Sequence, residues 1–207
     1  MKTGISSFSI LIIVMLFTAS CQKELDGSGA GGGPIVPVSQ KPKLGTTWTY
    51  YYYRYHSYGG VAEAKIMIHK AKTEETLGGE KWLNVVDMAT DTTVYFLNIK
   101  TGGLYQYANN SSNLFCKYPA VVNDTYTTFN SGSTEDFTVK GVNDTLQTGI
   151  GDVPANYYEG FKVGKLIDLV WYTDNAWIVR RLVYRVLPSP IPVYYLHTAL
   201  YIDNIIY

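Results

Sequence analysis

The sequence predicts an all-β chain: one domain built as a strongly curved antiparallel meander, half-barrel-like, with little helix after the N-terminal signal segment. Three observations carry that prediction. Tyr occurs 19 times and charged residues make up only 16% of the 207, a composition that suits half-buried pleated surfaces better than amphipathic helices. Glycine pairs stand at Gly59-Gly60, Gly78-Gly79 and Gly102-Gly103, each between segments rich in aromatic and branched residues, which is how tight hairpin turns are encoded. Apolar and polar residues also alternate with a period of two, the pattern of a strand with one packed face and one wet face.

The elements follow in chain order. Met1 and Lys2 give a short positive start, and Ile10 to Phe17 run eight apolar residues without a break. That is a secretory h-region, since about 20 apolar residues are needed to cross a bilayer. Residues 1–20 therefore read as a lipoprotein signal peptide. "TASC" sets the small Ala19 and Ser20 before Cys21 and resembles a bacterial lipobox, in which the thiol is acylated and the cysteine becomes the N-terminus; the commonest form has Leu where this chain has Thr18. Gln22 in place of Asp favours the outer membrane, and "QKELD" resembles the export signal of Bacteroidota surface lipoproteins. The expected location is the outer membrane, lipid-anchored, on the cell surface rather than the periplasmic face.

Residues 21–43 read as the acylated cysteine and a flexible Gly/Pro-rich tether. A coil of about 20 residues averages roughly 25 Å and stretches to about 65 Å, enough to hold the domain off the membrane. Gly27, Gly29 and Gly32 match G-x-G-x-x-G by accident, because neither a strand nor a helix flanks them.

Residues 44–207 form the antiparallel β domain. "WTYYYYRYHSY", from Trp48 to Tyr58, is the first strand and carries seven aromatic side chains in eleven positions. In the next, Ala62, Ala64, Ile66 and Ile68 alternate with Glu63, Lys65, Met67 and His69, so one face is expected to pack inward and the other to meet water. A helix competes for this stretch, because "AEAKIMIHKAK" is rich in helix formers. Further strands are expected over 82–88, 94–99, 104–107, 125–129, 136–142, 157–163, 166–172, 177–186 and 193–206. Asp174-Asn175 closes one hairpin among them, and "PSPIP" (188–192) reads as an edge or crossover loop.

Seventeen basic residues balance 17 acidic ones, with the signs interspersed. No basic stripe tracks phosphates, so nucleic acid is not an expected partner. With Cys21 lipidated, Cys116 is the one thiol left; beside Leu114 and Phe115 it reads as a small buried hydrophobe, and no intramolecular disulfide can form. H-E-x-x-H, C-x-x-C and G-x-S-x-G are absent, and His56, His69 and His197 lie far apart in sequence. Glu159 and Asp168 are the carboxylates to watch for acid–base work, although each fits a solvent-facing strand position. No enzyme, cofactor or metal is expected. A transmembrane barrel is disfavoured by short strands and by Arg180, Arg181 and Asp203 on candidate lipid faces.

The ordered phrases "LGTTWTY" (44–50), "GGEKW" (78–82), "KYPAVVNDTY" (117–126), "DVPANYYEGFKV" (152–163) and "VWYTDNAWIVRR" (170–181) resemble a group of uncharacterised outer-membrane and surface lipoproteins of the Bacteroidota type. Asn156 stands where that group usually has Gly, and Ala176-Trp177 replace a Gly-containing turn. The resemblance implies a curved antiparallel sheet similar to that of the LolA and LolB lipoprotein carriers, which hold acyl chains in an apolar concavity. It implies no catalytic residue.

On the first strand Trp48, Tyr50, Tyr52, Arg54 and His56 share one face, while Thr49, Tyr51, Tyr53, Tyr55 and Ser57 share the other. Tyr suits a half-covered surface because its ring packs while its hydroxyl reaches water. The expected function is a non-catalytic module that binds an amphipathic or hydrophobic ligand, with Tyr51, Tyr53, Tyr55, Trp82, Trp171 and Trp177 as candidate ligand-binding residues. A glycan-binding module and a structural partner in an outer-membrane complex are the alternatives. The expected partners are the outer membrane, through the anchor, and a lipid, glycan or envelope protein.

Overall fold

A computed structural model describes residues 40–130, 132–187 and 193–207. The signal segment, Cys21, the tether as far as residue 39 and the "PSPIP" loop lie outside the described residues. The described chain folds into β1 (Thr47–Tyr55), β2 (Val61–Leu77), β3 (Glu80–Asp87), β4 (Thr92–Lys100), β5 (Gly102–Ala108), β6 (Ser111–Tyr118), β7 (Thr125–Asn130), β8 (Ser133–Thr148), β9 (Gly151–Lys162), β10 (Lys165–Thr173), β11 (Trp177–Leu187) and β12 (Val193–Ile206). No helix occurs among the described residues.

All twelve strands form one antiparallel sheet, in the order β6-β5-β4-β3-β2-β1-β12-β11-β10-β9-β8-β7. Two six-strand meanders are thus joined by the pairing of β1 with β12. Register shifts interrupt nine of the eleven ladders, between Thr49 and Tyr50 for example. Bulges of this kind bend a strand and raise its twist, and here the curvature goes beyond a half-barrel. The free edges β6 and β7 come together, and tyrosines span the gap: the Tyr126 hydroxyl donates to the Phe115 carbonyl at 2.8 Å and the Tyr158 hydroxyl to the Lys117 carbonyl at 2.6 Å. The sheet is a barrel closed by backbone ladders everywhere except at this seam.

The turns follow the residues. Gly78 and Gly79, both with positive φ, make the two-residue connection between Leu77 and Glu80, and Asp174-Asn175 lie in the β10–β11 turn. Asn109-Asn110 do the same work between Ala108 and Ser111, with φ of 51° and 55°. That second turn delivers β6, a strand the sequence reading does not contain, because its first three residues are Ser-Ser-Asn.

The alternation in β2 is real, and the helix alternative is absent. The inward face is the one that carries Met67 and His69. Ile66 and Ile68 are 60% and 41% exposed, whereas His69 and Ala71 are buried and Met67 packs on the core. Register is the cause: Trp48 pairs with His69, Tyr50 with Met67 and Tyr51 with Ile66, and directly opposed residues share a face. Once the two large rings of β1 turn inward, Met67 and His69 must follow.

The interior is filled. Trp48, Trp177, Tyr50, Phe115, Phe137, Tyr158 and Tyr172 are its largest members, wedged among Val139, Val170, Val179 and Ile202. Cys116 is fully buried among them, and burial pushes its thiol well above the ordinary range. It is therefore a packing residue with no nucleophilic character.

Candidate functional site

One end of the barrel carries an open depression of about 280 Å³. Two of the candidate ligand-binding residues, Trp82 on β3 and Trp177 at the start of β11, both line it although 95 positions separate them (177 minus 82). Leu44, Leu83, Leu97 and Ile99 supply its other apolar walls, and Lys43, Lys81 and Glu74 its charged rim.

Each indole is held from below. Trp82 is 1% exposed, donates its N–H to the Leu77 carbonyl at 3.0 Å, and lies beneath the Lys100 ammonium, 5.1 Å from its ring. Trp177 is 2% exposed and stacks on Trp48 with ring centroids 5.4 Å apart. Trp48 in turn donates its indole N–H to the Ala176 carbonyl at 2.9 Å, and the Tyr50 hydroxyl donates to the Ile178 carbonyl at 3.0 Å. These two bonds clamp the β10–β11 turn against β1. Within that clamp Trp177 sits at φ 65°, a left-handed conformation that bulky side chains rarely adopt and that costs about 1–3 kcal/mol. Its indole N–H is buried and has no hydrogen-bond partner among the described residues, a further cost of about 1–3 kcal/mol. Two unfavourable features thus coincide at a residue that lines the depression.

Tyr51, Tyr53, Tyr55 and Trp171 lie elsewhere, on the outer surface. Tyr157, Trp171, Arg180, Tyr201, Tyr51 and Ile66 are successive cross-strand partners on β9, β10, β11, β12, β1 and β2. Tyr157 stacks on Trp171 at 4.6 Å, and the Arg180 guanidinium lies 5.4 Å from the Trp171 ring and 5.1 Å from Tyr201. Their faces are occupied by one another. That arrangement stabilises a sheet surface and leaves a sugar ring no free indole face on Trp171. At the β1–β2 end of the row, Tyr51 and Ile66, with Ile68 beside them, form an exposed apolar patch.

Inside the barrel the sequence reading missed a polar cluster. Asp168 points inward and is 2% exposed, gripped by the fork of Arg181, whose Nε lies 3.0 Å from Oδ2. Arg181 also donates to the Tyr95 hydroxyl at 3.1 Å and to the Asn130 amide oxygen at 3.3 Å. The Asn130 amide donates to both Asp168 and Glu135, each at 3.0 Å. Burial pushes the Glu135 carboxyl up to about 7, opposed by its bond from Asn130. Glu159 faces outward instead, accepting from the Tyr157 hydroxyl at 2.8 Å. Asp168 and Glu159 therefore lie on opposite faces and form no acid–base pair.

The histidines are dispersed. His56 stacks on Tyr58, His69 lies under Tyr50, and His197 contacts Tyr195. Among the described residues no three His, Cys, Asp or Glu groups are placed to hold a metal ion. No family model matches this chain, and neither a curated protein nor a solved structure does.

Proposed function

We propose that this chain is a lipid-anchored lipoprotein of the outer membrane, displayed at the cell surface, and that it acts as a non-catalytic binding module for a small amphipathic ligand. The depression lined by Trp177 carries the reading. It combines apolar walls from Leu44, Leu83, Leu97 and Ile99 with a charged rim of Lys43, Lys81 and Glu74, the mixture that ligand pockets use to bind and orient an amphiphile. It is also the end of the barrel where the chain from Cys21 enters: Pro42 and Leu44 line it, and Lys41 pairs with Asp174 beside it.

The test is native mass spectrometry of the full-length chain after exposure to an envelope lipid extract. A retained small amphiphile that is lost in Ile99→Asp, a lining position that is 36% exposed, supports the reading; an unliganded mass in both proteins opposes it. A structural partner in an outer-membrane complex is the second reading, and the exposed patch of Tyr51, Ile66 and Ile68 favours it. Crosslinking of that patch to a protein in whole cells tests it.

A further inference from the structure

Strand β7 is one of the two edges at the seam, and its hydroxyl bond to β6 comes from Tyr126, the second residue of the strand. Asn130, the last residue, lies about 13 Å further along. Its side chain ties it to the interior: Nδ2 donates to Glu135 and to Asp168, each at 3.0 Å, and Oδ1 accepts from Arg181 at 3.3 Å. We propose that this contact is a pH-sensitive latch on the end of β7, shut while the Glu135 carboxyl keeps its proton and released when the proton leaves.

The cluster makes Glu135 the group that titrates. One amide nitrogen serves both carboxyls, so their accepting oxygens are no more than 6.0 Å apart (3.0 plus 3.0). A single guanidinium faces them. Arg181 of β11 grips Asp168 of β10 through Nε and Nη2 and reaches the Tyr95 hydroxyl of β4 with Nη1. Cys116 of β6 and Tyr126 of β7 also face the cluster, and burial raises both well above their ordinary ranges, so they add no charge. Lys162 of β9 is exposed and favours the ionised Glu135 from outside. Two ionised carboxyls against one guanidinium leave one uncompensated charge in the interior. Asp168 has the fork, so Glu135 is the carboxyl that keeps a proton; burial raises it to about 7 from the ordinary 4.5.

The same residues have a short way out to water. Glu135 stands between Thr134 and Asp136, both exposed. The β8–β9 ladder starts at Asp136, opposite Phe161, whereas Thr128 and Glu135 pair with each other beyond it. This end of the hairpin can therefore lift without breaking the sheet. The shut latch binds the proton more tightly than the released one, so its hold is complete below pH 4.5 and is lost as pH rises through 7.

Native-state hydrogen exchange of the full-length chain, followed from pH 5 to pH 8 in low urea with intrinsic rates divided out, tests the latch. The amides that bond between 128–130 and 133–135 should open at least tenfold more often at pH 8 than at pH 5, with little dependence on urea. Those of β1 and β12 should stay at least tenfold better protected at every pH. Glu135→Gln keeps an acceptor for Asn130 but has no proton to lose, and should abolish the rise. Lys162→Met, at an exposed position, should move the rise to higher pH, and it tests the assignment even where Glu135→Gln does not fold. No rise in the wild type, exchange of this end in step with β1 and β12 at the same urea slope, a rise that persists in Glu135→Gln, or a rise unmoved in Lys162→Met would each overturn the latch.

Discussion

Trp48 and Trp177 stack face to face, 5.4 Å between ring centroids, across the end of the barrel where the chain enters the domain. The contact joins the first strand to the turn that opens the eleventh, and so locks the two meanders together at the site itself. Trp48→Ala removes both the ring and the bond to Ala176, and is expected to cost about 3–5 kcal/mol in urea unfolding. Trp48→Phe keeps one ring but loses the donor and part of the buried volume, which should cost about 1–3 kcal/mol. A loss below 1 kcal/mol for the alanine variant would mean that the clamp does not hold the turn.

The Asp168–Arg181 pair should behave as a buried ion pair. Asp168→Asn or Arg181→Met alone leaves one uncompensated charge in the interior and is expected to destabilise by about 3–5 kcal/mol. Replacing both, as Asp168→Leu with Arg181→Met, should recover most of that loss, because neither charge is then left to desolvate. A double-mutant cycle on the unfolding free energies reads the coupling.

Stability should depend on pH through Glu135. Its folded-state value near 7 lies above the ordinary 4.5, so the native state binds the proton more tightly than the unfolded chain. The contribution is fully present below pH 4.5 and is lost as pH rises through 7. Allowing for partial solvent access, its size is about 1–2 kcal/mol. His69 works in the opposite sense: burial lowers it to about 4, so its contribution is present above pH 6.5 and fades as pH falls toward 4. The difference between wild type and Glu135→Gln therefore isolates the carboxyl. It should shift in favour of the variant from pH 4.5 to pH 7, and a pH-independent difference would contradict the assignment.

At the seam, Tyr126→Phe with Tyr158→Phe should cost about 2 kcal/mol in total and should loosen β6 before any other strand. Hydrogen exchange reads this directly. The amides of Phe115 to Tyr118 should lose protection in the double variant while those of β1 and β12 keep theirs. Uniform loss across the sheet would place the closure elsewhere.

Gly160 lies against the Phe137 ring, and a Cβ there would come within 2.6 Å of it. Gly160→Ala should therefore cost about 1–3 kcal/mol by overpacking, and Gly160→Ala with Phe137→Leu should regain part of it. Thermal unfolding of the two variants is sufficient.

The sequence carries the strands and hairpins through local features: glycine pairs, the Asp174-Asn175 turn and a period of two. It carries less of what depends on register. The inward face of β2 was legible only as an alternation, because the choice between Ile66 and Met67 is made by Trp48 and Tyr50 on the neighbouring strand. β6 was hidden by its polar start. At the site, Trp82 and Trp177 were visible as candidates, yet their place on one depression follows from closure of the whole sheet. The missing partner of the Trp177 indole, and the grip of Arg181 on Asp168, are products of three-dimensional packing that no short motif encodes.

The most direct test of the binding account places a photoreactive benzoylphenylalanine at position 44, on the rim of the depression, and in a second protein at position 66, on the outer patch. Both positions are at least half exposed, 50% and 60%, so neither substitution disturbs the core. After irradiation of whole cells, intact mass should show a small-molecule adduct at position 44 and none at position 66. An adduct confined to position 66, or a protein crosslink there with nothing at 44, would contradict the claim that the end of the barrel is the binding site.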